Sequence, residues 1–471
     1  MTTACSSVMA QSEGPYFERA ATYPVYHNLP EGTDPAQETV AEIVAATADG
    51  MMLAYTDSPG ERLGLVDISD ISAPTGAGMV DLGGEPTSVS IVGTNAFVGV
   101  NTAESYTEPS GHVAVIDLNT SEVSTRCDVG GQPDSLAVSA DGGFLAVAVE
   151  NERDEDLNDG VIPQLPAGTL AVFDLAGGAI ANCDAARIVE LTGLAEVAGE
   201  DPEPEYVDIN AANIAAVSLQ ENNHIALVDL AAGTVTGHYS AGSVDLTAID
   251  ILEDDIVAGA GSLSGLAREP DAIAWLDDNR LFTANEGDYE GGSRGVSVFA
   301  NDGSVLFDSG NSLEHLGMSA GHYPEGRAEN KGVEPEGAEV GTFGDTTYAF
   351  ALSERGNFVA IYADGGDGSL ELTQALPTGV GPEGVVAIPS RDLLVVSAEV
   401  DAEEDSVRSS ITLYTRTADA SPYPHIVSAT DEATGAPIGW GALSGMVGDP
   451  TDANIVYAVS DSAYALSRIY T

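Results

Sequence analysis

Seven short apolar strands along this chain each start after a turn, usually Pro followed by an acid, at Glu42, Thr87, Asp134, Glu205, Asp271, Glu336 and Glu383. The gaps between these starts are 45, 47, 71, 66, 65 and 47 residues. The short gaps match one four-stranded propeller blade, and the long ones leave room for inserted loops. Within a repeat, an inner strand such as residues 135–138 is followed by a turn at Asp141-Gly142-Gly143 and a second strand at 144–149. A third strand follows at 63–67, 113–117, 170–174, 225–229, 296–299, 358–362 and 411–414. Several of these end in Asp before a turn. An Asp in that position bonds its own turn backbone, so Asp67, Asp117, Asp174 and Asp229 are read as structural. The chain is therefore predicted to be all-β, a seven-bladed β-propeller of four-stranded antiparallel blades over residues 39–418.

The seventh repeat runs from its third strand into Asp419-Ala420-Ser421-Pro422 without a fourth. An unpaired edge invites association, so something must cover it. The apolar stretch 20–26, within an N-terminal segment 1–38, is predicted to pair there and close the ring; residues 423–428 are the rival strand. Residues 419–471 form a linker and a tail.

At 471 residues the chain exceeds one small core, but a repeat array buries its apolar faces blade against blade and extends as one unit. Its 75 Asp and Glu against 15 Lys and Arg give a net charge of -60. That charge excludes nucleic acid and anionic membranes as partners. The cations are 14 Arg and a single lysine, Lys331. An acid-rich, lysine-poor surface suits molar salt, where the Debye length is about 3 Å, so the chain reads as that of a halophilic microbe and is expected to loosen in dilute buffer. Cys5, Cys127 and Cys183 lack metal or redox spacing. Either Cys127 and Cys183 pair or both stay free thiols. No run approaches the roughly 18 apolar residues of a membrane span, and residues 1–11 lack the features of a signal peptide, which reads as a trimmed start.

In a propeller, the loop leading into each inner strand and the loop joining the second and third strands open on one face, near the axis. Six of the seven strand starts are acidic, where 75 acids in 471 residues would put about one by chance. A second set follows the second strands: Glu150, Glu152, Glu221, Glu286, Glu354 and Glu399. Clustered carboxylates repel unless a cation or proton relieves them, and hard oxygen ligands suit calcium. The candidate metal ligands are Glu42, Asp134, Glu205, Asp271, Glu336, Glu383, Glu221 and Glu286. The alternative is that each acid after Pro accepts hydrogen bonds from amides of the neighbouring blade and fixes the turn. Residues 154–160 resemble a calcium loop, but with Gly one place late and Leu165 at position twelve.

Eight of the fifteen cations fall in loops of the same face: Arg62, Arg153, Arg268, Arg294, Arg327, Lys331, Arg355 and Arg408. Arg294, Arg327, Lys331 and Arg355 are the candidates for holding an anionic small molecule or phosphoester by charge-assisted hydrogen bonds. The opposing reading ties the loop 322–331 to the acids by internal ion pairs. His322, Arg327 and Lys331 are the candidate catalytic residues, with His315 a further possible acid or base. No Gly-x-Ser-x-Gly elbow, P-loop or HExxH occurs, which removes support for the common nucleophile, nucleotide and zinc-protease readings.

Glu-Pro-Glu-Gly at 334–337, Gly-Pro-Glu-Gly at 381–384, Thr-Ala-Asn-Glu-Gly-Asp at 283–288, Leu-Gln-Glu-Asn-Asn at 219–223 and Ser-Glu-Arg-Gly-Asn at 353–357 resemble the choice-of-anchor I family over about residues 39–416. The resemblance implies a surface or secreted propeller held by varied C-terminal anchors, and no anchor is evident here. The tail, from Trp440-Gly441-Ala442-Leu443 to Arg468-Ile469-Tyr470-Thr471, resembles the opening of a phytase-like esterase domain, most of which would lie beyond this chain. Asp461 and Arg468 would be its candidate functional residues. Two functions follow as expectations. One is an extracellular module of a metal-dependent phosphoester hydrolase, with calcium in the acid ring and Arg327 or Lys331 stabilising developing charge. The other is a non-enzymatic cell-surface binding or interaction module.

Overall fold

A computed structural model describes residues 14–154, 157–289, 291–418 and 426–471. Among the described residues, seven antiparallel sheets follow one another along the chain, successive strands pairing within each, except that in the third Thr169–Ala176 pairs with both Ala179–Ile180 and Arg187–Glu190. Their inner strands are Val44–Ala46, Glu85–Val92, Pro133–Val138, Pro204–Ile209, Ile273–Asp277, Pro335–Phe343 and Pro382–Ile388. Each packs against the next, and the last returns to the first, so the sheets form a closed ring.

The buried apolar residues divide accordingly into seven clusters, one at each interface between neighbouring sheets. Between blades one and two, for example, Leu63, Leu65 and Val80 meet Val89, Val98 and Ile116. No blade can bury its own two apolar faces, so burial between blades is what holds the ring.

All seven predicted third strands are present, and their closing acids act on turns as expected. Oδ1 of Asp67 accepts from the Ser69 N–H, that of Asp117 from Asn119, and that of Asp229 from Ala232. Asp174 instead pairs with Arg187 at 2.9 Å.

The seventh blade is completed from the N-terminus. Tyr16–Pro24 pairs antiparallel with Ser410–Thr417, with a bulge between Arg19 and Ala21. The strand begins ahead of the predicted stretch 20–26, because Glu18 and Arg19 are exposed while Phe17 beside them is buried. The rival, residues 423–428, lies partly outside the described residues; the Ser428 N–H donates to the Ser319 carbonyl. Cys5 and residues 155–156 of the calcium-like loop also lie outside the described residues.

The long gaps hold added structure: a hairpin of Ser243–Ile249 and Gly261–Ala267, and the helix Ser312–Ala320. The tail forms a small sheet of Leu443–Gly448, Val456–Ser460 and Ile469–Tyr470. The Trp440 indole N–H fixes the tail to the helix by donating to the Ser319 carbonyl at 2.8 Å.

Cys127, on the outer strand of blade two, is joined to Cys183, in the connection leading to the outer strand Arg187–Glu190 of blade three, in a disulfide with a Cα–Cα distance of 4.9 Å. The free-thiol alternative is thereby corrected. The bridge closes a separation of 56 residues, so Cys183→Ser should lower stability by about 4 kcal/mol, read as an earlier urea midpoint with a slope at least as steep as the wild type's, because the unbridged unfolded chain exposes more surface. A midpoint within error of the wild type would refute the bond's contribution.

Candidate functional site

The Pro-acid turns sit where each inner strand leaves regular pairing. Ladder irregularities lie between Pro133 and Leu136, Pro204 and Val207, Pro335 and Ala338, and Pro382 and Val385. A bulge at the start of the strand leaves the acid outside the ladder and re-aims it toward the axis. In two turns the next residue must be glycine. A Cβ on Gly337 would stand 2.4 Å from the Glu383 carbonyl oxygen, and one on Gly384 would stand 2.2 Å from that of Glu42. The Pro-Glu-Gly signature thus records how closely consecutive blades approach at the mouth.

The strand-start acids converge as expected and form two triads with acids that follow second strands. Carboxylate oxygens of Asp134, Glu150 and Glu205 all lie within 4.8 Å of one another, and so do those of Asp271, Glu286 and Glu336. Glu42 and Glu383 lie beside the triads. The Ser58 hydroxyl donates to Glu42, and Oε2 of Glu383 is buried without a hydrogen-bond partner, as is Oε2 of Glu336. Glu221 is drawn away: it contacts Arg153, whose guanidinium also pairs with Asp201 at 3.1 Å and Glu203 at 2.6 Å.

Asp134, Glu205, Glu336 and Glu383 are half-buried by surface area because the mouth admits solvent. Protein nevertheless surrounds them closely, and burial is the first cause of the rise in their pKa values, with neighbouring carboxylates second. Asp134 is pushed up to about 7, while Glu150, Glu205, Asp271, Glu336 and Glu383 lie well above the usual range. Glu42 and Glu354 are raised to about 7. Glu203 reaches about 8 through burial, although Arg153 opposes the rise. Among the described residues, no backbone amide donates to the carboxylates of Asp134, Glu205, Asp271, Glu336 or Glu383. The turn-fixing alternative is therefore absent at those five positions.

The candidate anion-binding cations are largely engaged. Arg327 pairs with Glu334, its Nε 2.9 Å from Oε2 and its Nη2 2.5 Å from Oε1. Arg355 pairs with Glu354 at 2.8 Å and Glu334 at 3.3 Å. Lys331 reaches Glu286 at 2.8 Å and Asp288 at 2.7 Å. Burial alone would lower the Lys331 pKa, but Glu286 and Asp288 carry it above the usual lysine value. The internal ion-pair reading of this loop is the one observed.

Arg294 does not belong to the mouth. It is 1 % exposed, donates to the carbonyls of Asp250, Ala328 and Asn330, and faces Glu314 at 3.3 Å, so a ligand cannot reach it. Nδ1 of His322 bonds the Gly356 carbonyl at 2.8 Å, and Nε2 of His315 bonds that of Ala248 at 2.8 Å. In the tail, exposed Asp461 accepts from the Ser462 N–H, and Arg468 donates to the Gly439 carbonyl. A groove of about 1100 Å³ lies between Val257 and the tail, lined by Trp440, Met446, Val447 and Ile469. None of the ring acids borders it.

Sequence reading missed Asp208 and Glu339. Each lies three residues past a strand-start acid, and burial raises them to about 6 and about 8. Asp208 accepts from the Trp275 N–H at 2.8 Å, which ties blade four to blade five. A second acid on an otherwise apolar inner strand was the available signal.

A closed ring of antiparallel sheets with acidic turns gathered at one mouth defines a β-propeller with a carboxylate-lined mouth. The choice-of-anchor I domain profile matches residues 42–291 and 289–367, and the chain belongs to that family, as a surface-associated propeller module. No protein of curated function matches its sequence. Among solved structures it is similar to Kuenenia stuttgartiensis hydrazine synthase, with 14% identity, TM-score 0.52, and coverage of 83% of this chain and 100% of that one. The RRP9 WD40 repeats are similar at 10% identity and TM-score 0.54, covering 81% and 96%. Virginiamycin B lyase from Staphylococcus aureus gives 10% identity and TM-score 0.51, covering 81% and 96%. At such identities these likenesses establish the fold alone. Among the described residues, no helix is long and apolar enough to cross a membrane.

Proposed function

We propose that this surface-associated propeller is a salt-adapted binding module that takes up calcium in its axial mouth and presents the ion to an anionic ligand such as a phosphoester. The observation that carries this reading is the pair of carboxylate triads, each with oxygens within 4.8 Å. Oxygen donors from separate blades, with room for further ligands, suit a hard cation of flexible coordination number. An ion bound at the mouth would both relieve the repulsion and leave positions for a ligand oxygen.

Binding is favoured over hydrolysis because the proposed catalytic groups are already engaged by the protein's own acids and carbonyls. Arg327 and Lys331 are held in ion pairs, and His322 is bonded to a carbonyl. In the tail, Asp461 accepts from the Ser462 N–H and Arg468 donates to the Gly439 carbonyl, so neither is engaged with the acids of the mouth.

Calorimetric titration of the chelator-treated chain with calcium chloride in molar salt is expected to show saturable binding. Phosphatase and esterase assays on generic nitrophenyl substrates, with and without EDTA, are expected to show no turnover. Turnover that EDTA abolishes would replace the binding reading with the hydrolase one. Salt adaptation has its own check. Transfer to dilute buffer should erase the near-ultraviolet circular dichroism of the folded chain, because unscreened repulsion among a net charge of -60 opposes the compact state.

A further inference from the structure

The two triads share a geometry but differ in what lies against them. Among the described residues, no side chain donates a hydrogen bond or forms an ion pair with Asp134, Glu150 or Glu205. The nearest guanidinium belongs to Arg153, and Asp201, Glu203 and Glu221 already take it. Glu150, aimed into this triad, is only 8% exposed and, among the described residues, its carboxylate has no hydrogen-bond or ion-pair partner. At the second triad, Glu286 accepts from the Lys331 ammonium at 2.8 Å and from the Gln220 amide at 3.0 Å. That ammonium belongs to the single lysine of the chain. Among the described residues, the second triad still keeps an unpartnered acid, Asp271, also 8% exposed, and an unpartnered Oε2 on Glu336.

We infer that the ring is occupied unequally: Asp134, Glu150 and Glu205 form the divalent-cation site, while Lys331 serves as a built-in counter-ion that keeps the Asp271–Glu286–Glu336 triad closed to a second ion. The inference rests on the calcium reading and divides its labour between the triads. The charges support the division. Three unneutralised carboxylates attract a divalent ion more strongly than three that already share an ammonium, and affinity for hard cations follows the net charge of the ligand set. A lysine suits the counter-ion role because its ammonium is a compact point charge on a flexible stem. By also holding Asp288 at 2.7 Å, Lys331, on the loop that precedes blade six, is tied to the loop between the second and third strands of blade five.

The test is calorimetric titration of the full chain with calcium chloride in molar salt, where weak binding to exposed acids is screened. The wild type is expected to bind one tight ion. Glu150→Gln should weaken that ion at least about tenfold, and Asp271→Asn should leave it unchanged. Lys331→Met should add a second ion, and Lys331→Gln repeats this measurement if the methionine variant loses its native near-ultraviolet spectrum. Two tight ions in the wild type, a wild-type stoichiometry in both folded lysine variants, or loss of the ion in Asp271→Asn but not in Glu150→Gln would each overturn the inference and leave calcium binding standing. No saturable binding in any variant would instead remove the calcium reading itself.

Discussion

Phe17→Ala is expected to lower the unfolding free energy by about 4 kcal/mol, because the ring of Phe17 is the wedge by which the N-terminal strand closes the propeller. The residue is 1 % exposed, and its ring meets Phe343, Tyr348 and Phe350 edge-on at centroid distances of 5.2, 5.7 and 5.7 Å. Those three rings belong to blade six, whereas the strand pairs with blade seven, so one side chain stitches two blades together. Its backbone is held as well. The Phe17 N–H donates to Gln374 Oε1 at 2.8 Å, and the Gln374 amide donates back to the Phe17 carbonyl at 3.0 Å. Truncation leaves a cavity that backbone held at both ends cannot collapse to fill. Equilibrium urea unfolding measures the loss, with exposed Glu18→Ala as a control expected within about 0.5 kcal/mol of the wild type. A Phe17→Ala cost below about 1 kcal/mol would mean that this strand does not secure the ring.

In chelator, the chain should become less stable as the pH rises from 5 to 8, with its thermal midpoint falling by roughly 10 °C. The sign follows from where the protons are. Burial raises Asp134, Glu42 and Glu354 to about 7 and Glu203 and Glu339 to about 8 in the folded chain. In the unfolded chain they revert to about 4. Between those limits the folded state binds more protons, so its stability is complete below the unfolded values and is lost as the pH climbs through the folded ones. Saturating calcium should restore the midpoint at pH 8 and change it little at pH 5, where protons already neutralise the mouth. Differential scanning calorimetry at constant salt provides the measurement. A midpoint that holds or rises between pH 5 and pH 8 in chelator would show that the ring carboxylates are not desolvated.

Much of this was legible in the chain because a propeller is local. Each blade is a run of adjacent antiparallel strands, so the alternation of apolar strands and Asp-Gly turns sufficed to locate all seven third strands, and the Pro-acid turns marked the mouth. Gly337 and Gly384 were visible as parts of motifs, but the reason for them, a carbonyl of the next blade within 2.4 Å of where a Cβ would stand, was not. The pairing of cations and acids was likewise hidden. Arg153 meets Asp201 and Glu203 from a loop some fifty residues on, and Arg294, which read as a surface ligand, turns inward to Glu314. Loop residues carry no periodicity that tells which way their side chains point, so an arginine on the correct face can equally be a ligand or a strut.

By itself, the sequence determined the number of blades, the antiparallel order within each, the acids that would crowd the axis and the need for a borrowed strand, because all of these follow from pattern along a contiguous chain. Only the tertiary structure decided which carboxylates share a site, that Glu150 rather than Glu221 completes a triad, that Cys127 and Cys183 pair, and that Lys331 lies against one triad and not the other. Those outcomes depend on the angular placement of loops around a ring, where residues far apart in the chain become neighbours through the packing of one blade on the next.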